Sequence, residues 1–359
     1  MDWSPQFSIG EFAPAFSAPS PSNPGYHFTT AAGRYVLLGF MPRPGPARDA
    51  AFAAFAAHQA LFDDDKLTAF LVLTDEASIA QARNHSRGLR WFLDGDRAVS
   101  RLYGAVRDGG PDTPFWLLLD PFLRVLAQAP LEDVAAIFAT ISALPPVADH
   151  AGTPLHAPVL IVPRVFEPEL CQELIAFYGA RGGDPSGVMR QVGQRTIGVM
   201  DGFKSRRDVT VDDPALRGRL MRRLARRLAP EMAKVFQFHA TRIERYVIAC
   251  YDAQEGGYFR PHRDNETLGT AHRQFACSIN LNAEDFEGGD LRFPEFGPRT
   301  YRPPTGGAVI FSCSLQHEAT PVTRGRRYAF LPFFYDEAGA RIRMANAGTF
   351  APTEAPAAE

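Results

Sequence analysis

The sequence predicts two domains, an α/β domain followed by an α+β domain built on antiparallel strands. Two domains are expected because the 359 residues exceed the roughly 150 that one core usually organises. In the N-terminal half, apolar runs of strand length alternate with a helical pattern, which is typical of α/β folds. After Phe238 the apolar segments become short and are separated by Gly, Pro and Asn, which indicates an antiparallel sandwich or barrel.

Three apolar runs in the N-terminal half predict buried strands, at residues 34–40, 68–73 and 115–119. Between the first two, residues 49–62 place aromatic side chains at spacings of three and four, as on one face of a helix. A strand, a helix and a strand in this order predict a parallel sheet covered by helices. Residues 134–144 predict a helix that closes the domain.

A stretch rich in proline and glycine follows this helix and predicts a linker over residues 146–156. We therefore expect one domain over residues 1–145 and a second over residues 157–340. The remaining residues, 341–359, are rich in small residues and proline and are expected to form a tail.

The C-terminal half begins with a predicted strand at 159–162 and a predicted helix at 167–178. Asp213 followed by proline is a typical helix start, which predicts a helix over 216–236. This helix carries many arginines, but leucines recur every fourth residue along it. We interpret the leucines as a buried stripe and the arginines as a solvated face, so nucleic acid is not expected as a partner. The leucines are Leu216, Leu220, Leu224 and Leu228.

The basic run at residues 204–208 precedes this helix and is interpreted as part of a flexible lid over the functional site.

Composition places the chain among ordinary globular proteins. Hydrophobic residues make up 45% and charged residues 22%, and the net charge is -2, which gives no reason to expect nucleic acid or an anionic membrane as partner. Small molecules or proteins are expected instead. The N-terminus lacks the pattern of a secretory signal and no run has the length of a membrane helix, so the expected location is the cytoplasm.

The four cysteines lie far apart in the second half, mostly in apolar runs. A disulfide framework or a zinc knuckle requires closer or more regular spacing. We expect buried, reduced thiols.

Three residues of the C-terminal half predict a metal site. His262 and Asp264 are two apart, so in an extended strand their side chains leave the same face, and His317 follows another strand-like run. Two imidazoles and one carboxylate can occupy one face of an octahedron and leave positions for a chelating co-substrate and dioxygen. The alternative for His262 and Asp264 is a satisfied surface pair. His272 is expected to be an ordinary loop or edge histidine.

Arg327 strengthens the prediction of a metal site. It lies ten residues beyond His317 on the next predicted strand, and a buried guanidinium holds a carboxylate with two parallel hydrogen bonds. This geometry suits the distal carboxylate of 2-oxoglutarate.

Residues 157–337 resemble the prolyl 4-hydroxylase branch of the Fe(II)- and 2-oxoglutarate-dependent oxygenases. The resemblance implies a double-stranded β-helix (jelly roll) with supporting helices, iron held by His262, Asp264 and His317, and Arg327 as the anchor of the co-substrate. It places Tyr251 beside the co-substrate, and Arg326 is the alternative anchor. Several relatives carry a second tyrosine where this chain has Asn280, which is expected to bind the co-substrate instead. The motifs are YVIACY (246–251), HRDN (262–265), GGDLRFPE (288–295), HE (317–318) and PVT (321–323).

The resemblance implies hydroxylation of an unactivated C–H bond, with release of succinate and CO2 and with ascorbate as the reductant. The substrate it implies is a prolyl residue in a protein or peptide. A free amino acid or another small metabolite is the alternative substrate. A non-catalytic sensor of oxygen or 2-oxoglutarate, or a protein-binding module, is the alternative function. Arg327 argues against a cupin-like metalloenzyme that works without 2-oxoglutarate.

Residues 8–130 resemble the peroxiredoxin branch of the thioredoxin fold, which places proline in the cis form where Thr113 and Pro114 stand here. Those enzymes need a nucleophilic thiolate near the start of the helix after the first core strand. No cysteine precedes Cys171, so the domain is expected to retain the fold without peroxidase activity. We expect it to dock a partner, to form a homodimer or to position substrate for the oxygenase. The motifs are GEFAPAF (10–16), GRYVLLGF (33–40), SRLYG (100–104) and LLDP (118–121).

Overall fold

The computed structural model describes residues 6–41, 43–83 and 87–350. The chain divides into two compact units. Unit 1 comprises Met1–His156 together with Pro294–Gly297, and unit 2 comprises Ala157–Phe293 and Pro298–Glu359. No helix in the described part of the chain combines the length and the apolar character needed to cross a membrane.

Unit 1 contains seven described strands and four described helices. The strands are β1 (Ser17–Ser20), β2 (Asn23–His27), β3 (Tyr35–Met41), β4 (Leu67–Leu73), β5 (Leu89–Leu93), β6 (Phe115–Leu119) and β7 (Val125–Pro130). The helices are α1 (Pro46–Ala57), α2 (Glu76–Gln81), α3 (Ala98–Leu102) and α4 (Val134–Ser142). Short 3-10 turns occupy Phe28–Ala31, Gln59–Leu61, Val147–Asp149 and Pro294–Phe296.

The main sheet of unit 1 has the order β5-β4-β3-β6-β7. As predicted, β3 and β4 are parallel neighbours. The expectation of a parallel sheet is wrong for the part of the sheet beyond β3, because β6 runs antiparallel to both β3 and β7. The short connection between β6 and β7 can join only antiparallel strands, which accounts for the pairing of those two.

Both faces of this sheet are buried. Along β3, Val36, Leu38 and Phe40 face one apolar cluster, whereas Leu37 and Met41 face the other. Phe55 of α1 and Phe138 of α4 cover the second face, so the uninterrupted apolar runs follow from burial on two sides. The expected cis peptide before Pro114 is wrong, because no cis peptide occurs in the described residues.

Unit 2 contains eighteen described strands and four described helices. Its helices are α5 (Pro168–Arg181), α6 (Pro214–Arg223), α7 (Ala229–Phe236) and α8 (Glu337–Ala345), with a π-helical turn at Leu224–Leu228 and 3-10 turns at Ala253–Glu255, Leu268–Thr270 and Ala347–Thr349. Its strands are β8 (Leu160–Val162), β9 (Asp184–Pro185), β10 (Val188–Val192), β11 (Arg195–Val199), β12 (Lys204–Ser205), β13 (Arg207–Thr210), β14 (Arg242–Glu244), β15 (Val247–Asp252), β16 (Tyr258–His262), β17 (Phe275–Asn280), β18 (Glu287–Gly288), β19 (Leu291–Arg292), β20 (Thr300–Tyr301), β21 (Ala308–Ser312), β22 (His317–Ala319), β23 (Val322–Arg324), β24 (Arg326–Phe330) and β25 (Phe333–Tyr335).

Two antiparallel sheets form the body of unit 2, as the short segments predicted. The larger runs β14-β25-β17-β24-β15-β13-β9, with β21 bonded to β17 and β8 bonded to β21, and the smaller runs β12-β16-β22-β19-β20. The helices pack on one face of the larger sheet, where Ile248, Ile279 and Phe330 meet Leu174 and Leu220. The opposite face therefore remains for the functional site.

The predicted leucine stripe is confirmed. Leu216, Leu220, Leu224 and Leu228 are all buried, and they span α6 and the π-helical turn. Pro230 follows at the start of α7, and its lack of an N–H group prevents a regular α-helical hydrogen bond there.

Two sequence expectations are wrong. The run at 204–208 is not a lid, because it supplies β12 and β13, which pair with β16 and β15 in the two sheets. The tail does not begin at residue 341, since α8 and a 3-10 turn continue to Thr349. Phe350 then forms a bridge with Thr196. Residues 351–359 of the expected tail lie outside the described residues.

Candidate metal centre

The structure brings His262, Asp264 and His317 together. His262 ends β16 and His317 begins β22, and the two residues are direct partners in the antiparallel register. Asp264 lies in a turn just after β16 rather than within the strand, where its backbone N–H donates to the carbonyl of Cys313 at 3.0 Å. One potential ligand atom from each side chain lies within 4.8 Å of the others. Strand pairing therefore explains the approach of the histidines, and a turn explains the approach of the aspartate.

The hydrogen bonds of both imidazoles fix which nitrogen is free to bind. Nδ1 of His262 lies 2.8 Å from the carbonyl of Arg260, and Nδ1 of His317 lies 3.0 Å from the carbonyl of Leu315. A carbonyl only accepts, so each Nδ1 carries the hydrogen and each Nε2 keeps its lone pair. The Nε2 atoms lie 3.6 Å and 3.3 Å from the Asp264 carboxylate. Two imidazole nitrogens and one carboxylate directed at a common point fit Fe(II).

The electrostatics favour the protonation states that a metal needs. Burial and the neighbouring His317 lower the pKa of His262 to about 4. Burial acts to raise the pKa of Asp264, but His317 and His262 outweigh it and hold that pKa well below its usual value. At neutral pH the site therefore offers a neutral His262 imidazole and a carboxylate anion. These are the forms that coordinate metals.

Aromatic rings pack against the two histidines. Phe259 stacks on His262 with ring centroids 3.5 Å apart, and the Phe311 ring centroid lies 4.5 Å from that of His317. These rings limit access of water to the imidazoles and hold their orientation.

Arg327 lies on β24 and is 3% exposed. Its guanidinium donates to Ser278 Oγ at 2.8 Å and to Asn280 Oδ1 at 3.4 Å, and burial lowers its pKa. Within the described residues no carboxylate pairs with it. A buried cation without a counter-ion costs several kcal/mol, so the position suits an anionic ligand. Arg326, the alternative anchor, is exposed and pairs with Asp252 at 2.6 Å.

Tyr251 lies next to Arg327 in the register of β15 and β24. The Arg327 Cζ lies 5.2 Å from the centroid of its ring, and Arg206 donates to its hydroxyl at 3.3 Å. Asn280 donates to the carbonyl of Pro303 at 2.9 Å and accepts from Arg327. This geometry fits a role for Asn280 in orienting Arg327. Direct contact of Tyr251 or Asn280 with a co-substrate stays a prediction.

His272 has the expected loop position but not the expected exposure. It lies in a turn before β17, as a loop histidine would, but it is 2% exposed and its Nε2 lies 2.8 Å from Glu244. Glu244 also accepts two hydrogen bonds from Arg273, at 2.8 Å and 2.6 Å. His272 thus belongs to a buried polar cluster and not to the ligand set. The local sequence gave no sign of this because Glu244 is remote along the chain.

His262, Asp264 and His317 line one cavity together with Arg327, and this cavity has about 450 Å³ of atom-free space, part of which is open to solvent. Arg206 and Arg245 also line this cavity, although the sequence did not predict either as a site residue. Arg206 is buried and pairs with Asp208 at 2.6 Å. The lining residues are Arg206, Arg245, Tyr251, Phe259, His262, Asp264, Ala276, Cys277, Ser278, Leu291, Phe311, His317, Ala319, Arg327, Leu331 and Phe333.

Comparison with known proteins agrees with this site. Residues 246–335 match the 2OG-Fe(II) oxygenase superfamily. A PKHD-type hydroxylase of Synechococcus sp. is 31% identical over 93 residues, which cover 24% of this chain and 41% of that protein. The chain thus spans less than half the length of this curated relative.

Two solved structures share weaker likeness. A prolyl-4-hydroxylase of Pseudomonas putida is 19% identical, with a TM-score of 0.38, over 54% of this chain and 97% of that one. AhpC of Mycobacterium tuberculosis is 17% identical, with a TM-score of 0.33, over 39% of this chain and 94% of that one. Scores this low do not assign a fold. The family match and the convergence of two histidines and an aspartate within it lead to one conclusion: the C-terminal region carries a 2OG-Fe(II) oxygenase domain.

Proposed function

We propose that this protein hydroxylates an unactivated C–H bond in a reaction that converts 2-oxoglutarate to succinate and CO2. The observation that supports it is the combination of three converging ligands with Arg327, a buried cation that lacks an anionic partner among the described residues. When bound, Fe(II) supplies the activation of dioxygen that couples these two reactions.

The residues of the cavity have distinct roles in this proposal. His262, Asp264 and His317 hold the metal from one side, and the backbone carbonyls of Arg260 and Leu315 orient the two imidazoles. Arg327 binds the distal carboxylate of 2-oxoglutarate, with Ser278 and Asn280 fixing its guanidinium. Phe259 and Phe311 exclude water from the reacting atoms.

The substrate we propose is a prolyl residue in a protein or peptide. Support comes from the sequence motifs shared with prolyl 4-hydroxylases and from the similarity to a PKHD-type hydroxylase over 93 residues. A free amino acid or another small metabolite is the alternative substrate. Ascorbate as reductant stays a prediction.

Anaerobic spectroscopy followed by turnover tests the function. Adding Fe(II) and 2-oxoglutarate without oxygen should give a visible charge-transfer band, and admitting oxygen should give succinate. His262→Ala and Asp264→Ala should abolish both signals because each removes a metal ligand. The matched control is His239→Ala, since His239 is an exposed histidine of the same unit.

The outcomes separate the alternatives. A wild-type protein without the band, or a His262→Ala protein that keeps it, contradicts the proposal. A band without any substrate-stimulated succinate across a peptide and metabolite screen favours a sensor of oxygen or 2-oxoglutarate instead.

A further inference from the structure

Arg245 has a backbone conformation that is costly for its residue type. It lies between β14 and β15 with a φ of 52°, in the left-handed region that a Cβ atom disfavours. At this point the chain leaves its pairing with β25 and enters the pairing with β24. The side chain lines the cavity of the metal centre. A strained residue that places a cation in a cavity is typical of a functional site.

The guanidinium of Arg245 has no anionic partner within the part of the chain that the structure describes. Its Nε is buried and makes no hydrogen bond, and its described contact is with the Phe333 ring, whose centroid lies 4.4 Å from Cζ. Burial and the neighbouring Arg273 lower its pKa to about 10, so the group remains a cation at pH 7.

The nearby carboxylates are already engaged. Glu244 accepts from Arg273 twice and lies 2.8 Å from His272, and Asp208 pairs with Arg206 at 2.6 Å. Both carboxylates attract Arg245 electrostatically, but neither forms an ion pair with it in the described part of the chain. A buried donor left unpaired is destabilising, and more so when it is charged, so a ligand that brings an anion stabilises this cavity most.

The charge balance of the cavity leaves room for one anion beyond 2-oxoglutarate. Arg206 is neutralised by Asp208, and the two charges of Fe(II) equal those of 2-oxoglutarate. Asp264 then offsets one of the two remaining arginines, Arg245 and Arg327, so one positive charge is left. Lys204 adds little, because burial and Arg206 lower its pKa to about 6.

We infer that Arg245 recognises a carboxylate of the substrate, so that the hydroxylated compound is a carboxylic acid that keeps this group free. Two sources share this chemistry: a free or N-acylated amino acid, and the C-terminal residue of a peptide. The inference rests on the proposed function, because it assigns the substrate of that same cavity. The inference narrows the proposed substrate, because among the prolyl residues of a protein or peptide only a C-terminal one keeps the carboxylate that Arg245 binds.

Matched acids and amides test this inference on the full-length protein. The protein is loaded anaerobically with Mn(II) and 2-oxoglutarate, and calorimetry measures the binding of N-acetyl amino acids as free acids and as primary amides. A second set contains tripeptides with the same C-terminal residues, again as acids and amides. The acid of at least one pair should bind at least tenfold more tightly than its amide. The set in which the preference appears identifies the source of the carboxylate.

Variants assign the preference to Arg245. Arg245→Gln should reduce it to less than threefold, and Arg245→Lys, which keeps the charge, should restore part of it. Arg242→Gln is the matched control and should retain it, since Arg242 is exposed on the adjacent strand and pairs with Glu337. The Kd of 2-oxoglutarate should change less than threefold in Arg245→Gln.

Four results overturn the inference: no acid binds, no acid is preferred to its amide, Arg245→Gln keeps the preference, or Arg245→Gln weakens 2-oxoglutarate binding more than tenfold. The last result makes Arg245 an anchor of the co-substrate. Failure of the proposed function is recognised separately, because the wild-type protein then lacks the charge-transfer band with Fe(II) and 2-oxoglutarate.

Discussion

Two adjacent arginines on β24 have opposite environments. Arg326 is exposed beside Asp252, whereas Arg327 is buried against Ser278 in the cavity. Successive side chains of a strand leave opposite faces, so a difference of one position decides which arginine meets the metal centre. The two side chains have the same chemistry, so only their surroundings distinguish the arginine that lines the cavity from the one that faces solvent.

Replacing Arg327 is expected to weaken the binding of the co-substrate. Arg327→Gln removes the charged fork that binds a carboxylate, so the Kd of 2-oxoglutarate should rise at least tenfold. Titration of the anaerobic Fe(II) protein, followed by the charge-transfer band, measures this.

Arg326→Gln is the matched control because it removes the same group from the exposed neighbour. Its Kd should stay within threefold of the wild-type value. If Arg326→Gln weakens the binding of 2-oxoglutarate and Arg327→Gln does not, Arg326 is the residue that anchors the co-substrate.

Lys204 is expected to make stability depend on pH. Burial and Arg206 lower its pKa to about 6, below the value of about 10.4 in an unfolded chain. Between these values the unfolded state binds one more proton, so the wild-type free energy of unfolding falls with falling pH by up to about 1.4 kcal/mol per unit through this group. Lys204→Met removes the effect. Its stability relative to wild type should rise as pH falls from 9 to 6 in urea unfolding.

Lys234→Met is the control, since the Lys234 side chain is 74% exposed. Its stability difference from wild type should stay constant over the same pH range. A constant difference for Lys204→Met as well contradicts a lowered pKa at that position.

At the scale of elements, strand alternation separates the site from the core. On β15, Ile248 and Cys250 face the helices, whereas Ala249 and Tyr251 belong to the cluster on the opposite side of the sheet. The helical layer thus holds the sheet rigid from one side while the other side carries the chemistry.

The leucine stripe of the long helix is expected to carry much of this rigidity. Leu220 is 0% exposed, so Leu220→Ala leaves a cavity and should cost about 2 to 5 kcal/mol of unfolding free energy. Urea unfolding followed by circular dichroism measures it. Val235 is 49% exposed, and Val235→Ala should change stability by less than about 0.5 kcal/mol. Equal effects of the two substitutions argue against a buried stripe.

Local patterns explain what could be predicted from the sequence. The leucine spacing predicted the helix, and the motifs around His262 and His317 predicted the two histidines and the aspartate that the structure brings together. The expected lid at residues 204–208 was wrong because a basic run looks exposed until its partners are known. Arg206 is buried only because its neighbours pair with β15 and β16. Arg245 was missed for the same reason, since its surroundings come from remote segments.

At the scale of the whole molecule, the two units differ in what chemistry they can perform. Unit 1 has the mixed sheet described above, but no cysteine precedes Cys171, so it lacks the nucleophile that a peroxiredoxin needs. Its role in docking a partner or forming a homodimer stays a prediction. The redox chemistry that we propose is confined to the metal centre of unit 2.

The thiols of the chain are expected to be inert in the native state. All four cysteines are buried and unpaired, and burial raises the pKa of Cys171 to about 12 and that of Cys250 to about 11. Burial raises the pKa of Cys277 and Cys313 as well. Because the thiolate is the reactive form, Ellman's reagent at pH 7.5 should detect no thiol until guanidinium unfolds the protein, after which four should react.

The rate of hydrogen peroxide consumption tests the same thiols for peroxidase activity. With a thiol reductant and without added iron, the protein should consume hydrogen peroxide no faster than buffer that contains the same reductant, since neither unit presents a thiolate. Ser142→Cys places a thiol at an exposed position of unit 1 and should add one reactive group to the native count, which shows that the reagent detects accessible thiols. A reactive thiol or peroxide turnover in the wild-type protein would mean that a buried cysteine becomes accessible, and thiol chemistry would then accompany that of the metal.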